Sequence, residues 1–340
     1  MSIKFEFLQH NGESILITID ENTPFQHTIL LDGGCSHPFI NNFFDEQEPE
    51  IDTIIVTHID NDHINGVIDF LEENHQSSKI SQIIFNEPKN SKLFNLVNNS
   101  TQTNKAQGYQ LQDLIDKSKQ INKHLYDVCF EKNNIIEINH STYVEVLTPT
   151  IEVLDALYKK WDKTEYEKID TKTNFKIQSS TIGKSIEELA NFPFKKDKSL
   201  PNKSSISFIL HHNQYKFLLL GDAHIDEVNK SLEKLGYADN ALIVDFIKLS
   251  HHGSMKNIDD NFLKMVKTNQ YIICQTYHDD CKHPNKETIA KIVTFGKESN
   301  RKDITEIYLT KSINAKLKFT QEEKQKYYFE IQEMHVKNFD

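Results

Sequence analysis

The stretch Ile54-Ile-Val-Thr-His-Ile-Asp-Asn-Asp-His-Ile-Asn-Gly66 constrains this chain more than any other. A β-branched run from Ile51 to Val56 reads as a buried strand. It stops in four potential metal ligands packed into six residues: His58, Asp60, Asp62 and His63. Alternation along an extended segment throws His58 and Asp60 to one side. Asp62 and His63 open a helix that runs through Val67, Ile68, Phe70 and Leu71. A carboxylate suits that place because a helix start presents unpaired N–H groups. Two imidazoles and two carboxylates form a mixed nitrogen and oxygen set. It suits zinc, manganese or iron and is too rich in nitrogen for magnesium or calcium.

The rest of the chain alternates strands with helical stretches. Ile3, Phe5 and Phe7 alternate with charged residues, Ser14 to Ile19 forms a second strand, and His27 to Leu31 a third that ends in Asp32-Gly33-Gly34. Ser81 to Asn86 is a further parallel strand, and residues 89–127 are polar and helical in character. Two short strands lie between Ile135 and Leu147, the second followed by Thr148-Pro149. Ser205 to Leu210 and Tyr215 to Leu220 make a hairpin about a His211-His212-Asn213-Gln214 turn, ending in Gly221-Asp222-Ala223-His224. Ala241 to Leu249 is an apolar strand leading into Ser250-His251-His252-Gly253-Ser254. Tyr271 to Cys274 follows, then Tyr277, His278, Cys281 and His283-Pro284, a helix from Lys286 to Phe295, and strands Ile304–Thr310 and Tyr327–Ile331.

His-x-Asp-x-Asp-His after a hydrophobic strand resembles the signature of the metallo-β-lactamase superfamily. The resemblance implies an α/β fold, a four-layer αββα sandwich. The chain reads as one domain over residues 1–340, with residues 150–203 as a polar helical insertion or cap. By the same resemblance His58 and Asp60 serve metal one, and Asp62 and His63 serve metal two. Asp32 matches an aspartate that orients the ligands, and Asp222, after Leu-Leu-Leu-Gly, matches a carboxylate bridging both metals. A histidine after the Ala241–Leu249 strand completes metal two. His251 is the choice by its nearness to the strand end, with His252 free to contact substrate or support a ligand. Many members place a metal-binding histidine where Thr148 stands here. His140 and His224 are both open as substitutes.

Leu-Leu-Leu-Gly-Asp, then His-His-Gly-Ser, then a late His-Pro resemble more narrowly the soluble hydrolase domain of ComEC, the bacterial DNA-uptake competence protein, and its stand-alone relatives. That likeness covers residues 1–86, 143–149, 202–256 and 271–290. It implies a nuclease or phosphodiesterase holding one or two divalent ions, zinc or manganese, with a metal-bound hydroxide as nucleophile. Asp60, His252 and His283 are the expected catalytic residues, His283 binding phosphate or protonating the leaving group. The expected partners are a phosphodiester or nucleic-acid substrate and, as for some stand-alone relatives, other proteins of a multi-component prokaryotic system.

Two other classes stand beside it. One is a metallo-hydrolase of a lactone, thioester or phosphonate, which a net charge of −11 favours over a polymer nuclease. The other is a non-catalytic scaffold, whose cue is the missing histidine at Thr148. The acidic balance excludes a protein built to coat nucleic acid, although Pro88 to Ser204 carries 18 lysines against 15 acidic residues. Four cysteines without Cys-x-x-Cys spacing, no signal peptide and no run of ~18–20 apolar residues point to a soluble, cytoplasmic protein without a membrane anchor.

Overall fold

The structure is a computed structural model that describes residues 2–8, 12–38, 50–74, 79–88, 106–161, 183–275, 283–299, 302–311 and 317–340. Among them, two large sheets face each other. The first runs β17 (Val336–Phe339), β1 (Ile3–Phe7), β2 (Ile15–Ile19), β3 (His27–Leu31), β4 (Thr53–Ile55), β5 (Gln82–Ile84) and β6 (His124–Leu125). It is antiparallel as far as β3 and parallel from β3 to β6. The second runs β16 (Phe329–Glu333), β15 (Thr305–Leu309), β14 (Gln270–Ile273), β12 (Phe246–Lys248), β10 (Tyr215–Leu219), β9 (Ser207–His212), β8 (Thr142–Thr148) and β7 (Ile135–Asn139). Its members from β16 to β10 are parallel.

Three apolar clusters define four layers. Phe5, Ile17 and Ile29 of the first sheet pack on Phe208, Phe217 and Phe246 of the second, and the Phe5 ring lies 4.7 Å from Phe217 and 4.9 Å from Phe246 in edge-on contacts. The outer face of the first sheet, with Ile54 and Ile83, is covered by Val67 and Phe70 of α1 (Asn61–Asn74), Leu111 of α2 (Ala106–Lys117) and Leu157 of α3 (Ile151–Trp161). The outer face of the second, with Leu218 and Ile247, is covered by Val228 of α6 (Ile225–Lys234) and Ile289 of α8 (Lys286–Glu298). Each such side chain contributes about 1.5–3 kcal/mol relative to exposure. This helix–sheet–sheet–helix order is the metallo-β-lactamase fold.

Several expectations need correction. His211 and His212 belong to β9, both buried, and the turn shrinks to Asn213-Gln214 because Tyr215 pairs with His212. Ala241–Leu249 is broken: β11 (Leu242–Ile243) leaves the main sheet to pair with β13 (Val266–Lys267), and β12 alone stays in it. The 89–127 stretch holds strand β6 besides α2, and its residues 89–105 lie outside the described residues, as do Tyr277, His278, Cys281 and residues 162–182. In the 150–203 segment the described residues include α3, α4 (Ile186–Ala190) and α5 (Leu200–Lys203). Helix α7 (Asp260–Met265), helix α9 (Gln321–Tyr327) and strand β17 were not expected.

Two glycines set α1 against the end of β3. A side chain on Gly66 would stand 1.9 Å from the Gly33 carbonyl oxygen, and one on Gly33 would stand 2.2 Å from the Val67 nitrogen. Only bare backbone permits the bonds from Gly33 N–H to the His63 carbonyl (2.7 Å) and from Gly66 N–H to the Gly34 carbonyl (2.9 Å). The close approach brings the first turn of α1 beside Asp32.

Candidate metal centre

Parallel strands carry their C-terminal tips to the same end of a sheet. The tips of β3 and β4 supply Asp32, Thr57 and His58, and those of β10 and β12 supply Asp222, His251 and His252. The sheets meet here, with Ile206 N–H bonded to the Thr57 carbonyl at 2.9 Å. Asp32, His251 and His252 all have left-handed backbone, φ 55°, 48° and 52°. Such conformations cost about 1–3 kcal/mol each and persist where surroundings enforce them.

Four imidazoles are tied off on the outward side. His63 donates from Nδ1 to Asp32 Oδ2 at 2.7 Å. The Thr57 hydroxyl donates to the same oxygen at 2.7 Å and accepts from His58 Nδ1 at 3.0 Å. His252 donates from Nδ1 to the Cys274 carbonyl at 2.9 Å, and His251 from Nδ1 to Asp197 Oδ2 at 3.1 Å. Each bond holds its ring with Nε2 turned inward, where His252 Nε2 meets Asp62 Oδ2 at 3.0 Å.

Asp222 stands where those nitrogens converge. Its Oδ1 lies 3.5 Å from His63 Nε2, and its Oδ2 lies 3.9 Å from His58 Nε2 and 3.8 Å from His251 Nε2. Asp60 Oδ2 is 3.6 Å from His58 Nε2, and Asp62 Oδ2 is 3.0 Å from His252 Nε2 and 4.0 Å from His63 Nε2. Most of these gaps are too long for hydrogen bonds. Tetrahedral metal bonds of ~2.0–2.2 Å separate neighbouring donors by roughly 3.3–3.6 Å; the gaps of 3.5 and 3.6 Å match that spacing and those of 3.8–4.0 Å are slightly wider. His58 Nε2, His63 Nε2 and Asp222 Oδ1 are buried without hydrogen-bond partners. An orphaned buried acceptor costs about 1–3 kcal/mol. The residues fit a metal: His58, His63 and Asp222 form one candidate group, and Asp62, His63 and His252 another.

The electrostatics agree. Burial pulls the His63 imidazole down, but Asp222, Asp32 and Asp62 outweigh it and its pKa stands well above the usual histidine value. Burial likewise opposes, and Asp222 and Asp197 overcome the opposition, at His251, pushed up to about 9. Burial works against ionised Asp222, yet His251, His63 and His252 hold it well below the ordinary carboxylate range. The carboxylates favour positive charge at the centre of the cluster, on the imidazole rings or on a cation that takes the place of their protons.

The predicted site residues Asp32, His58, Asp60, Asp62, His63, Asp222, His251 and His252 all lie here, but the last two histidines divide otherwise than their order suggests. His252, not His251, faces Asp62, and His251 faces the Asp222 oxygen that also faces His58. His283 stacks at 4.9 Å from His251 and donates from Nδ1 to Asn285 Oδ1 at 3.0 Å. Burial, then His251 and His252, hold it down at about 3.

Thr148 is turned away, donating to the Ser205 carbonyl at 2.7 Å and lying 2.6 Å from the Ser207 hydroxyl. Neither candidate substitute takes its place. His140 sits at the far end of β8 against Phe25, and His224 Nε2 is directed at Asp197 Oδ1, 3.8 Å away. Thr57 and Asp197 went unrecognised in the sequence. So did a fully buried ion pair, Lys248 with Glu13, in which Lys248 also donates to the Gly221 carbonyl at 3.0 Å. An Asp or Thr away from the motif carries no local signal. A lysine inside an apolar strand does, because lysine is almost never fully buried unpaired.

A sequence model described as the Metallo-beta-lactamase superfamily matches residues 14–100, the segment that contributes Asp32, His58, Asp60, Asp62 and His63. Over that segment the chain is similar to the metallo-β-lactamase superfamily. Most members are metal-dependent hydrolases. Solved structures similar to this chain include Zn(2+)-bound PqqB from Methylobacterium extorquens (10% identity, TM-score 0.42, covering 100% of both chains). Another is human tRNase Z, short form (13%, 0.39, covering 99% of this chain and 98% of that one). CmlA, a diiron β-hydroxylase from Streptomyces venezuelae, aligns at 11% and 0.41, covering 99% of this chain and 54% of its own, so the chain spans about half the length of CmlA. No curated protein matches the sequence. No helix among the described residues is long and apolar enough to cross a membrane.

Proposed function

We propose that this chain is a metal-dependent phosphodiesterase whose ions sit on either side of Asp222. One observation carries the metal site: four imidazoles have their Nδ1 atoms committed outward, while Nε2 atoms and carboxylate oxygens converge inward with two of the nitrogens orphaned. His63, Asp62 and His252 would hold one ion, His58, Asp60 and His251 the other, with Asp222 shared. Divalent ions held there would supply a bound water of pKa about 7 and positive charge for phosphoryl oxygens. Asp32 and Thr57 keep the imidazoles aimed. Asp60, with 41% of its side chain exposed, is the ligand nearest solvent and so borders the space open to substrate. What supports a phosphodiester as substrate is the likeness of the Leu-Leu-Leu-Gly-Asp and His-His-Gly-Ser motifs, whose strand tips build this cluster, to the ComEC-type hydrolase domain.

A second reading, hydrolysis of a small lactone, thioester or phosphonate ester, draws on the net charge of −11, which repels a polyanion at long range. A panel of single-stranded DNA, duplex DNA, RNA, cyclic nucleotides, bis-p-nitrophenyl phosphate and a lactone, run with manganese or zinc, separates the two. Cleavage of a phosphodiester that Asp222→Asn reduces to background supports the proposal. Turnover of the lactone alone contradicts it.

A further inference from the structure

At the end of β8 Thr148 is turned from the His58 half of the site, its hydroxyl spent on Ser205 and Ser207. We propose that a remote segment serves that half instead: Asp197 is a positioning residue that fixes His251 so that its Nε2 serves the ion beside His58 and Asp60. This rests on the metal-site reading above.

Asp197 is itself rigidly set. Its Oδ1 accepts from the backbone N–H groups of Lys198 (2.7 Å) and Ser199 (3.1 Å), and its Oδ2 accepts from Asn202 Nδ2 (3.1 Å). Ser199 caps the short helix α5 by accepting from the Asn202 N–H, which fixes the asparagine in turn. A carboxylate so held can only accept, so it requires the proton of His251 on Nδ1. Asn202 Nδ2 stands 3.2 Å from the same Nδ1. The consequence is a lone pair on Nε2, 3.8 Å from the Asp222 oxygen that His58 also faces. The other neighbours of the ring are His283, 4.9 Å away, and Asn202, and of the groups at Nδ1 Asp197 is the one that must accept a proton. His251 has left-handed backbone and a side chain 25% exposed, against none of the His58 or His63 side chain. His252 needs no such support, since the main-chain carbonyl of Cys274 holds it.

The test measures metal content after dialysis, and affinity by chelator competition with manganese and zinc, in wild type, Asp197→Ala, Asp197→Asn, His251→Ala and His252→Ala. Thermal melts check folding. Wild type should hold two ions. His251→Ala should lose one, and the Asp197 variants should bind that same ion about 10–100-fold more weakly, the usual effect of removing a partner that orients a histidine ligand. His252→Ala should lose the other ion. Two ions held by folded Asp197→Ala with wild-type affinity overturn the inference and leave the hydrolase proposal standing, as does a single wild-type ion indifferent to His251→Ala. A wild type that takes up no ion overturns both. Should the Asp197 variants not fold, nitrogen NMR of histidine-labelled, metal-loaded wild type decides: the proton of His251 belongs on Nδ1, and a proton on Nε2 refutes the role.

Discussion

The two halves of the site share Asp222 and little else. The His63 half is built from the fold's interior: His63 is fully buried, Asp32 beneath it is fully buried, and a main-chain carbonyl aims His252. The His58 half also has a fully buried imidazole, but its Asp60 is 41% exposed against 31% for Asp62 of the other half, and its His251, 25% exposed, is aimed by a carboxylate from outside the matched segment. The first half is the work of close-packed strand tips that any chain with this fold must form. The second depends on what one peripheral segment contributes. The His63 half should therefore bind its ion first and hold it longer, while the His58 half is the place where substrate and solvent have access.

That contrast can be broken at several points, beginning with the strongest. Asp222→Asn removes the oxygen charge common to both halves, and metal analysis should find neither ion retained, with activity at background. Loss of one ion alone would show that the halves do not share this carboxylate. Lys248→Met should follow. It strands Glu13, whose N–H holds the Asp62 carbonyl at 2.8 Å, as an unpaired buried charge. Breaking one side of such a pair costs about 3–5 kcal/mol, read from urea midpoints, and a cost under about 1 kcal/mol would show that the pair is not structural. Asp32→Asn should weaken the ion of the His63 half by about 10–100-fold. It should also touch His58 through Thr57, but less. Equal loss from both halves, in chelator competition, would erase the distinction between them. Gly66→Ala forces α1 from Gly33 and should cost about 1–3 kcal/mol by overpacking, with a matching drop in melting temperature.

The smallest effect is a pH dependence. Metal-free protein holds His251 at about 9 and His63 above the usual value of 6.5. A raised folded-state pKa contributes stability in full below the unfolded value and loses it as pH rises through the folded one. Metal-free protein should therefore lose stability between about pH 6.5 and 9. The metal must displace the same protons, so loading at pH 7 should release protons, more than at pH 9. Calorimetry in buffers of different ionisation enthalpy measures that release. No difference between the two pH values would mean that these imidazoles are already neutral.

What could be read from the sequence follows the same division. The β4 strand, the first turn of α1, Asp32 at the end of β3 and Asp222 at the end of β10 are signalled locally: a β-branched run stops, and charged residues follow at once. The assignment of His251 over His252 rested on distance along the chain from the strand end. A left-handed turn at both residues reverses that expectation, and no propensity marks such a turn in a pair of histidines. Thr148 marks a gap when that position is read alone, and Asp197, the residue proposed to serve the His58 half through His251, lies more than fifty residues before it. The buried Lys248 was hidden inside an apolar run, because its partner Glu13 lies in the other sheet's first loop.

The account rests on cations lying between imidazoles that face inward from two sheets. Crystals of the full chain soaked in manganese or zinc, with anomalous difference density collected at the metal edge, test it most directly. Two peaks are expected flanking Asp222, one against His63, His252 and Asp62, the other against His58, His251 and Asp60. Density confined to the surface, with His63 and His58 bonded only to protein atoms, would contradict it.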